Sequence, residues 1–93
     1  MEIKQKEVGS QGMFYVENDE KVLAEMVYEM TADKKMTILH TEVDPSLEGQ
    51  GVGKLLLARL VEFVREKQIK VFPQCPFANT MLKRNKQWQD ILQ

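Results

Sequence analysis

The sequence predicts an α+β fold in which a mixed sheet packs against helices, with the element order ββββαβα. Three observations predict it. The first 43 residues alternate apolar and polar side chains between short polar turns, as in an antiparallel meander. Glycines at 49, 51 and 53 lead directly into an amphipathic helix. A short apolar segment at 69–75 and a second helical pattern follow, so the mostly antiparallel sheet includes one parallel, right-handed βαβ crossover.

Four strands are predicted before the glycines, at residues 2–8, 13–16, 22–30 and 36–43. Because successive side chains point to opposite faces of a strand, the sequence also predicts which residues share a face. The third strand carries on one face Val22, Ala24, Met26, Tyr28 and Met30. The fourth carries on one face Met36, Ile38, His40 and Glu42, and on the other Thr37, Leu39, Thr41 and Val43.

Two helices are predicted after the glycines. Apolar residues at helical spacing place the first from Val52 to near Gln68. Asn79 and Thr80 are candidate N-caps of the second. The apolar residues of this second helix are Met81, Leu82, Trp88, Ile91 and Leu92.

The length of 93 residues predicts one domain, spanning residues 1–93. The 43% hydrophobic and 29% charged residues are typical of a soluble globular protein. We expect neither a membrane span nor a signal peptide, because the chain lacks the long apolar runs that these require. The single cysteine cannot form an internal disulfide, which favours a reducing cytoplasm. The sequence suggests no metal site.

Charge is divided unevenly along the chain, although the net charge is only −1. Residues 1–49 carry 5 basic and 11 acidic side chains, whereas residues 50–93 carry 8 basic and 3 acidic ones. This distribution favours a small anionic ligand over nucleic acid, which would require a basic stripe across the whole domain.

The segment from Thr41 to Lys54 joins a strand, three glycines and a helix. Glycines let backbone N–H groups approach a ligand without a Cβ in the way. The helix behind them directs its unpaired N–H groups and the positive end of its dipole at the same place. The segment therefore predicts a site for a phosphate or pyrophosphate group.

Two common phosphate-binding motifs do not fit this segment. A P-loop requires Gly-x4-Gly-Lys-Ser/Thr, but Leu55 follows Lys54 and Glu48 stands at the first glycine position. A dinucleotide fingerprint requires Gly-x-Gly-x-x-Gly, and its third glycine would fall on Lys54 or Leu56. Nucleotide hydrolysis and dinucleotide binding are therefore disfavoured.

The segment Val43-Asp44-Pro45, followed by Glu48-Gly49-Gln50-Gly51-Val52-Gly53-Lys54, resembles the acetyl-CoA pyrophosphate loop of the GNAT N-acetyltransferase superfamily. That loop has the pattern Arg/Gln-x-x-Gly-x-Gly/Ala after a strand that usually ends Val-x-Pro. Gly51 and Gly53 match its glycines, whereas Glu48 stands where Arg or Gln is usual. The resemblance covers nearly the whole chain. The segments His40-Thr41-Glu42-Val43 and Pro73-x-Cys75-Pro76-Phe77 are similar to those of one branch of the superfamily, the short single-domain GNAT-like proteins. Members of this branch lack the usual N-terminal helices that help to form the acceptor site.

This resemblance implies that the chain binds acetyl-CoA. Strands 36–43 and 69–75 would splay apart and admit pantetheine, whose thioester carbonyl would meet backbone groups near Thr41. Asn79 matches a position where many members place an Asn near the cofactor, and Lys83, with Arg84 and Lys86, is a candidate for the 3′-phosphate. The implied cofactor-binding residues are Thr41, Val43, Glu48, Gly49, Gln50, Gly51, Val52, Gly53, Lys54, Asn79 and Lys83.

The candidate catalytic residues are Cys75, His40 and Glu42. Flanking prolines hold Cys75 extended beside the expected gap, where its thiol could accept an acetyl group before passing it on. His40 and Glu42 share one strand face, from which either could deprotonate Cys75 or an incoming amine. The alternative is that Cys75 is a small buried residue and His40 a surface residue. Many members have a tyrosine that protonates the departing CoA thiolate, but Met81 stands at that position here.

Three functions are compatible with these patterns. The first is acetyl transfer to an amine of a small molecule or an exposed protein lysine, directly or through Cys75. The second is a non-catalytic acyl-CoA-binding module, which the absent tyrosine and the short acceptor region favour. The third is an interaction domain with a vestigial loop, whose exposed apolar face would include Tyr15, Met26, Tyr28 and Met30. The acceptor and the oligomeric state stay open.

Overall fold

The computed structural model describes residues 1–93 as one five-stranded sheet with two helices and two short 3₁₀ segments. The strands lie in sequence order, with β1 to β4 antiparallel and β5 parallel to β4. The predicted α+β fold and its element order are therefore confirmed. The strands are β1 Lys4–Val8, β2 Gln11–Asn18, β3 Lys21–Ala32, β4 Lys35–Val43 and β5 Lys70–Pro73. The helices are α1 Val52–Lys67 and α2 Pro76–Arg84, and the 3₁₀ segments are Pro45–Leu47 and Lys86–Ile91.

Both helices cover the same face of the sheet, which we call the inner face. Buried α1 residues such as Leu56 and Leu60 form one hydrophobic cluster with Ala78 and Leu82 of α2. The same cluster contains the inward residues of the strands, which are Phe14, Val16, Ala24, Met26, Tyr28, Met36, Ile38 and Val71. The opposite face carries no helix, and we call it the open face. Neither helix has the length and apolar character needed to cross a membrane.

Two predicted boundaries are wrong. The second helix begins at Pro76 rather than after Asn79 or Thr80, and Cys75 is its N-cap residue. Proline is favoured at the first helical position because it has no N–H to leave unpaired there. The chain then continues from Lys86 as a 3₁₀ segment, so the apolar residues near the C-terminus do not belong to one long helix.

The alternation around Met26 and Tyr28 is compatible with an exposed apolar face or with the core, and the structure shows that it belongs to the core. Met26 and Tyr28 are completely buried and belong to the core. The Tyr28 ring extends over Gly12, and its hydroxyl donates to Glu7 at 2.7 Å while accepting from Gln5 at 2.8 Å. These contacts connect β3 to β1 across the intervening strand β2.

Candidate functional site

The parallel strands β4 and β5 are paired over only part of their length. Pairing extends from Lys35↔Lys70 to Ile38↔Pro73, and the Cys75 N–H then donates to the Ile38 carbonyl at 3.0 Å. Beyond that point residues 39–43 of β4 have no strand partner on this side. Pro73 has no N–H to extend the ladder, and the helix that starts at Pro76 leads the chain away. The structure therefore contains the gap that the resemblance implied.

A β-bulge in β4 decides which side chains meet this gap. Val27 is paired with His40 and Tyr28 with Ile38, so Leu39 is an extra residue between them. One extra residue moves every later side chain to the other face. Residues Thr41 and Val43 consequently join Met36 and Ile38 on the inner face, while His40 and Glu42 lie on the open face. The predicted division of β4 into faces is therefore wrong after Leu39.

The loop after β4 ends in a helix N-terminus whose backbone donors are free. Gly49 and Gly51 have φ values of 80° and 70°, which favour glycine, and Gly51 is the N-cap of α1. The first intrahelical bond at this end is made by the Leu55 N–H. The N–H groups of residues 49 and 51–54 donate to no backbone carbonyl. The N–H groups of residues 52–54 and the positive end of the α1 dipole thus face the space before the helix, and Gly49 and Gly51 add two unpaired donors from the loop.

These donors border a cleft of about 360 Å³ between the loop, the end of β4 and α2. Most of the predicted cofactor-binding residues line it. They are Thr41, Val43, Glu48, Gly49, Gly51, Val52, Gly53 and Lys54. The other three lining residues are Leu47, Phe77 and Met81. Met81 stands where the resemblance implied the tyrosine beside the CoA thiolate, whereas the sequence did not assign Leu47 or Phe77 to this site. The spacing of Phe77 and Met81, four residues apart on one helix, is the signal that could have grouped them.

Gly51 and Gly53 have different structural roles. A Cβ on Gly51 would meet no atom within 4 Å, so the space above it is open to a ligand. A Cβ on Gly53 would lie 2.8 Å from Cζ of Phe77, so this glycine is required for the contact between α1 and the start of α2. The pattern suggested ligand approach at both positions, but at Gly53 a side chain of the protein occupies the space.

Cys75 lies at the gap but is enclosed. The residue is only 3% exposed, and its Sγ lies 3.4 Å from Oγ1 of Thr41. Thr41 lines the cleft whereas Cys75 does not. The thiol is therefore placed behind Thr41, in agreement with the alternative interpretation of a small buried residue.

His40 and Glu42 are not positioned to deprotonate Cys75, and that prediction is wrong. The bulge at Leu39 places both side chains on the open face, whereas Cys75 contacts the inner-face residue Thr41. Nε2 of His40 instead lies 3.2 Å from Oε2 of Glu25. The side chains of His40 and Glu42 are both exposed on the open face beside the gap.

The structure does not bring Asn79 or Lys83 to the glycine-rich loop. Both line a separate cleft of about 340 Å³, formed with Pro73 and the last residues of the chain. Asn79 and Lys83 lie on a different side of α2 from Phe77 and Met81, so their predicted cofactor contacts are not supported. Arg84 follows Phe77 by seven residues and therefore lies on the cleft side of the helix.

Parted parallel strands beside a glycine-rich helix N-terminus, in a sheet of this order, define the GNAT acyltransferase fold. Residues 13–91 match the family described as GCN5-related N-acetyl-transferase. The chain belongs to this family, and enzymes with this fold generally use acetyl-CoA.

Known proteins support the assignment. A GCN5-like protein from Staphylococcus aureus, proposed to be an N-acetyltransferase, is 41% identical with a TM-score of 0.80, over 99% of this chain and 87% of that one. Protein NATD1 from Xenopus tropicalis is 31% identical over 62 residues, which are 67% of this chain but only 57% of that protein. The ribosomal-protein-S18-alanine N-acetyltransferase from Escherichia coli shares the fold, with 19% identity and a TM-score of 0.62 over 72% of this chain and 43% of that one.

Proposed function

We propose that the chain binds acetyl-CoA in the cleft beside residues 47–54, Phe77 and Met81, which we call the glycine cleft. We further propose that it transfers the acetyl group directly to an amine. The observation that carries this proposal is the set of five unpaired backbone N–H groups, at residues 49 and 51–54, which border a cleft that reaches the gap between β4 and β5.

The lining of the cleft fits two parts of acetyl-CoA, the diphosphate and the pantetheine arm. Free N–H groups at a helix N-terminus favour a diphosphate, and Lys54 adds a cation beside them. Val43, Leu47 and Met81 provide an apolar wall suited to the pantetheine arm. Glu48 is an unfavourable charge at the same rim, but it is exposed and therefore screened by solvent. When bound, acetyl-CoA would supply an activated thioester.

The residues of the chain would then orient the acceptor and remove its proton. The edge of β4 over residues 39–43 has no strand partner, so its backbone groups are available to polar parts of a ligand. His40 and Glu42 stand beside this edge on the open face, and we propose one of them as the base that accepts the amine proton.

We favour direct transfer over a route through Cys75. A cysteine nucleophile requires an accessible thiolate, which a cation or base must stabilise. The Cys75 thiol is buried, and its polar neighbour is the neutral hydroxyl of Thr41. The free thiol also fits a cytoplasmic location, which we retain as part of the proposal.

A non-catalytic acyl-CoA-binding module is the second candidate. Met81 favours it, because this residue lines the cleft but has no proton to give to a leaving thiolate.

Calorimetric titration with acetyl-CoA, CoA and ATP tests the cofactor site. We expect acetyl-CoA to bind, and Gly51→Asp to weaken its binding at least tenfold because a carboxylate would face the diphosphate. Gly51→Asn is the matched control, since asparagine has a similar size, tolerates positive φ and carries no charge. Equal affinity in the two variants would contradict the proposed site.

Release of CoA with a lysine-rich peptide as acceptor separates the two candidates. Direct transfer predicts that His40→Ala or Glu42→Gln lowers turnover at least tenfold while Cys75→Ala retains most of it. Acetyl-CoA binding without turnover in the wild type would favour the binding module. An acetylated Cys75 in intact-mass analysis, together with an inactive Cys75→Ala, would instead establish the covalent route.

A further inference from the structure

The open face of the sheet is a broad surface in which charged and apolar residues follow the strand register. One cross-strand row is apolar at its centre, where Met13 and Val27 are paired. Large apolar side chains also stand at two corners, because Val8 is 82% and Phe72 is 53% exposed. The three rows are Lys4–Tyr15–Glu25–Glu42, Lys6–Met13–Val27–His40 and Val8–Gln11–Glu29–Thr37–Phe72.

The basic residues of the first two rows are already engaged within the protein. Nζ of Lys4 lies 2.8 Å from Oε1 of Glu17, and Nζ of Lys6 lies 4.9 Å from the centre of the Tyr15 ring. In contrast, Glu29 and Glu42 form no ion pair. The charge that remains available on the central part of this face is therefore negative.

This negative charge reaches the gap between β4 and β5. Glu42 lies between Thr41 and Val43, which line the glycine cleft from the inner face. Glu25 and Glu42 are directly paired, and together with Asp44 they line a cleft of about 250 Å³ beside the end of β4. Glu25 already has His40 at 3.2 Å, so Glu42 is the member of this pair without a cationic partner, and a cation brought by a ligand would be favoured beside it. The paired lysines Lys35 and Lys70 stand at the opposite end of the strands.

We infer that the open face docks an extended basic segment of another protein and presents one of its lysines to the gap. The acceptor role of that lysine rests on the proposed function, whereas the docking itself does not. The exposed apolar side chains of Val8 and Phe72 favour a peptide over a small polyamine, which could match the spacing of the charges but has no apolar side chains to pack against them. Glu29 and Glu42 lie two rows apart, about 13 Å along the strands at about 3.3 Å per residue, with the Met13–Val27 row between them. A segment with alternating lysine and apolar residues would match both the charges and the apolar row.

The experiment measures binding of a 12-residue peptide that contains four lysines and four apolar residues. Its counterpart with glutamate in place of lysine, and spermine as a small polyamine, are tested in parallel. We expect the double variant Glu29→Gln/Glu42→Gln to bind the lysine peptide about tenfold more weakly at low salt. The matched control Glu62→Gln/Glu66→Gln removes the same charge from exposed positions of α1 and should change the affinity less than twofold. Because none of these four carboxylates forms an ion pair, the substitutions should leave the fold intact.

Several results would overturn the inference. Equal weakening in the two double variants would show non-specific attraction, and equal affinity for spermine and the peptide would indicate a small-molecule site. Self-association of the chain that Phe72→Glu disrupts would mean that a second copy covers the face. Titration of the same samples with acetyl-CoA keeps the two proposals apart. Peptide docking without acetyl-CoA binding would end the proposed function alone, and the reverse result would end the docking proposal alone.

Discussion

In the first half of β4, residues 35–38 lie between β3 and β5, and the side chains of Met36 and Ile38 are completely buried. In the second half, residues 39–43 are paired only with β3, and none of these residues is fully buried. The same strand therefore contributes to the core at one end and to the candidate site at the other. A bulge at Leu39 and a proline at the end of β5 produce the change.

This difference separates stability from ligand contact along a single strand. A half that is paired on both sides is rigid and packed, whereas a half with one free edge offers backbone groups and side chains to a ligand. Substitutions in the two halves should therefore have different consequences.

The largest effect on stability is expected in the first half. Ile38→Ala should lower the free energy of unfolding by about 2–5 kcal/mol, because it leaves a cavity in a fully buried position. Val43→Ala, in the second half, should cost roughly 1 kcal/mol and weaken acetyl-CoA binding, because Val43 is only partly buried and lines the cleft. Urea unfolding and calorimetric titration of both variants check this, and similar losses of stability would remove the distinction.

A smaller effect is expected where the second half meets the glycine loop. Gly53→Ala should destabilise the protein by about 1–3 kcal/mol, because its Cβ would lie 2.8 Å from Cζ of Phe77. Gly51→Ala should cost about 1–2 kcal/mol through its positive φ alone.

A second substitution distinguishes these two causes. Phe77→Leu should restore part of the stability lost in Gly53→Ala and none of that lost in Gly51→Ala, which a double-mutant cycle measures. Absence of coupling between residues 53 and 77 would show that the contact does not explain the glycine.

The smallest effect is the dependence of stability on pH. It involves Tyr28 of β3, which is paired with Ile38 in the first half of β4. Burial and, secondarily, the hydrogen bond to Glu7 raise the pKa of Tyr28 well above its usual value. Its stabilising contribution is fully present below the pKa of an unfolded tyrosine, about 10, and is lost as the pH rises above that value.

Urea unfolding between pH 8 and 11 measures this loss. Above about pH 10 the decline should approach 1.4 kcal/mol per pH unit. Tyr28→Phe should remove this component, and an unchanged pH dependence in that variant would contradict it. The carboxyl of Asp44 provides a contrast, because the Ser46 N–H lowers its pKa and its contribution is lost only in acid.

Much of the fold could be predicted from the sequence because local patterns specify it. Alternation identified the inward residues Ala24, Met26 and Tyr28 of β3, although a bulge at Leu23 moves Val22 to the other face. Helical spacing located α1. The positions of Gly49 and Gly51 before that helix predicted the anion site, since few residues other than glycine tolerate the positive φ found there. The prediction failed where a contact between distant segments decides the outcome. Thr41 and His40 lie on faces opposite to those predicted because the register between β3 and β4 contains a bulge. The start of α2 was missed for a different, local reason, since Pro76 begins the helix three residues before Asn79.

The sequence by itself thus determined the order of elements, the inner face of the middle of β3 and of the first half of β4, and the glycine-rich helix N-terminus. Each of these depends on residues that are neighbours in the chain. Only the tertiary structure decided that Leu39 bulges, that Phe77 rests on Gly53, and that Cys75 lies behind Thr41 while His40 faces the other way. Each of these depends on the register between separate strands or on the packing of one helix against another. Such pairings are properties of the assembled sheet and are not encoded in any local pattern.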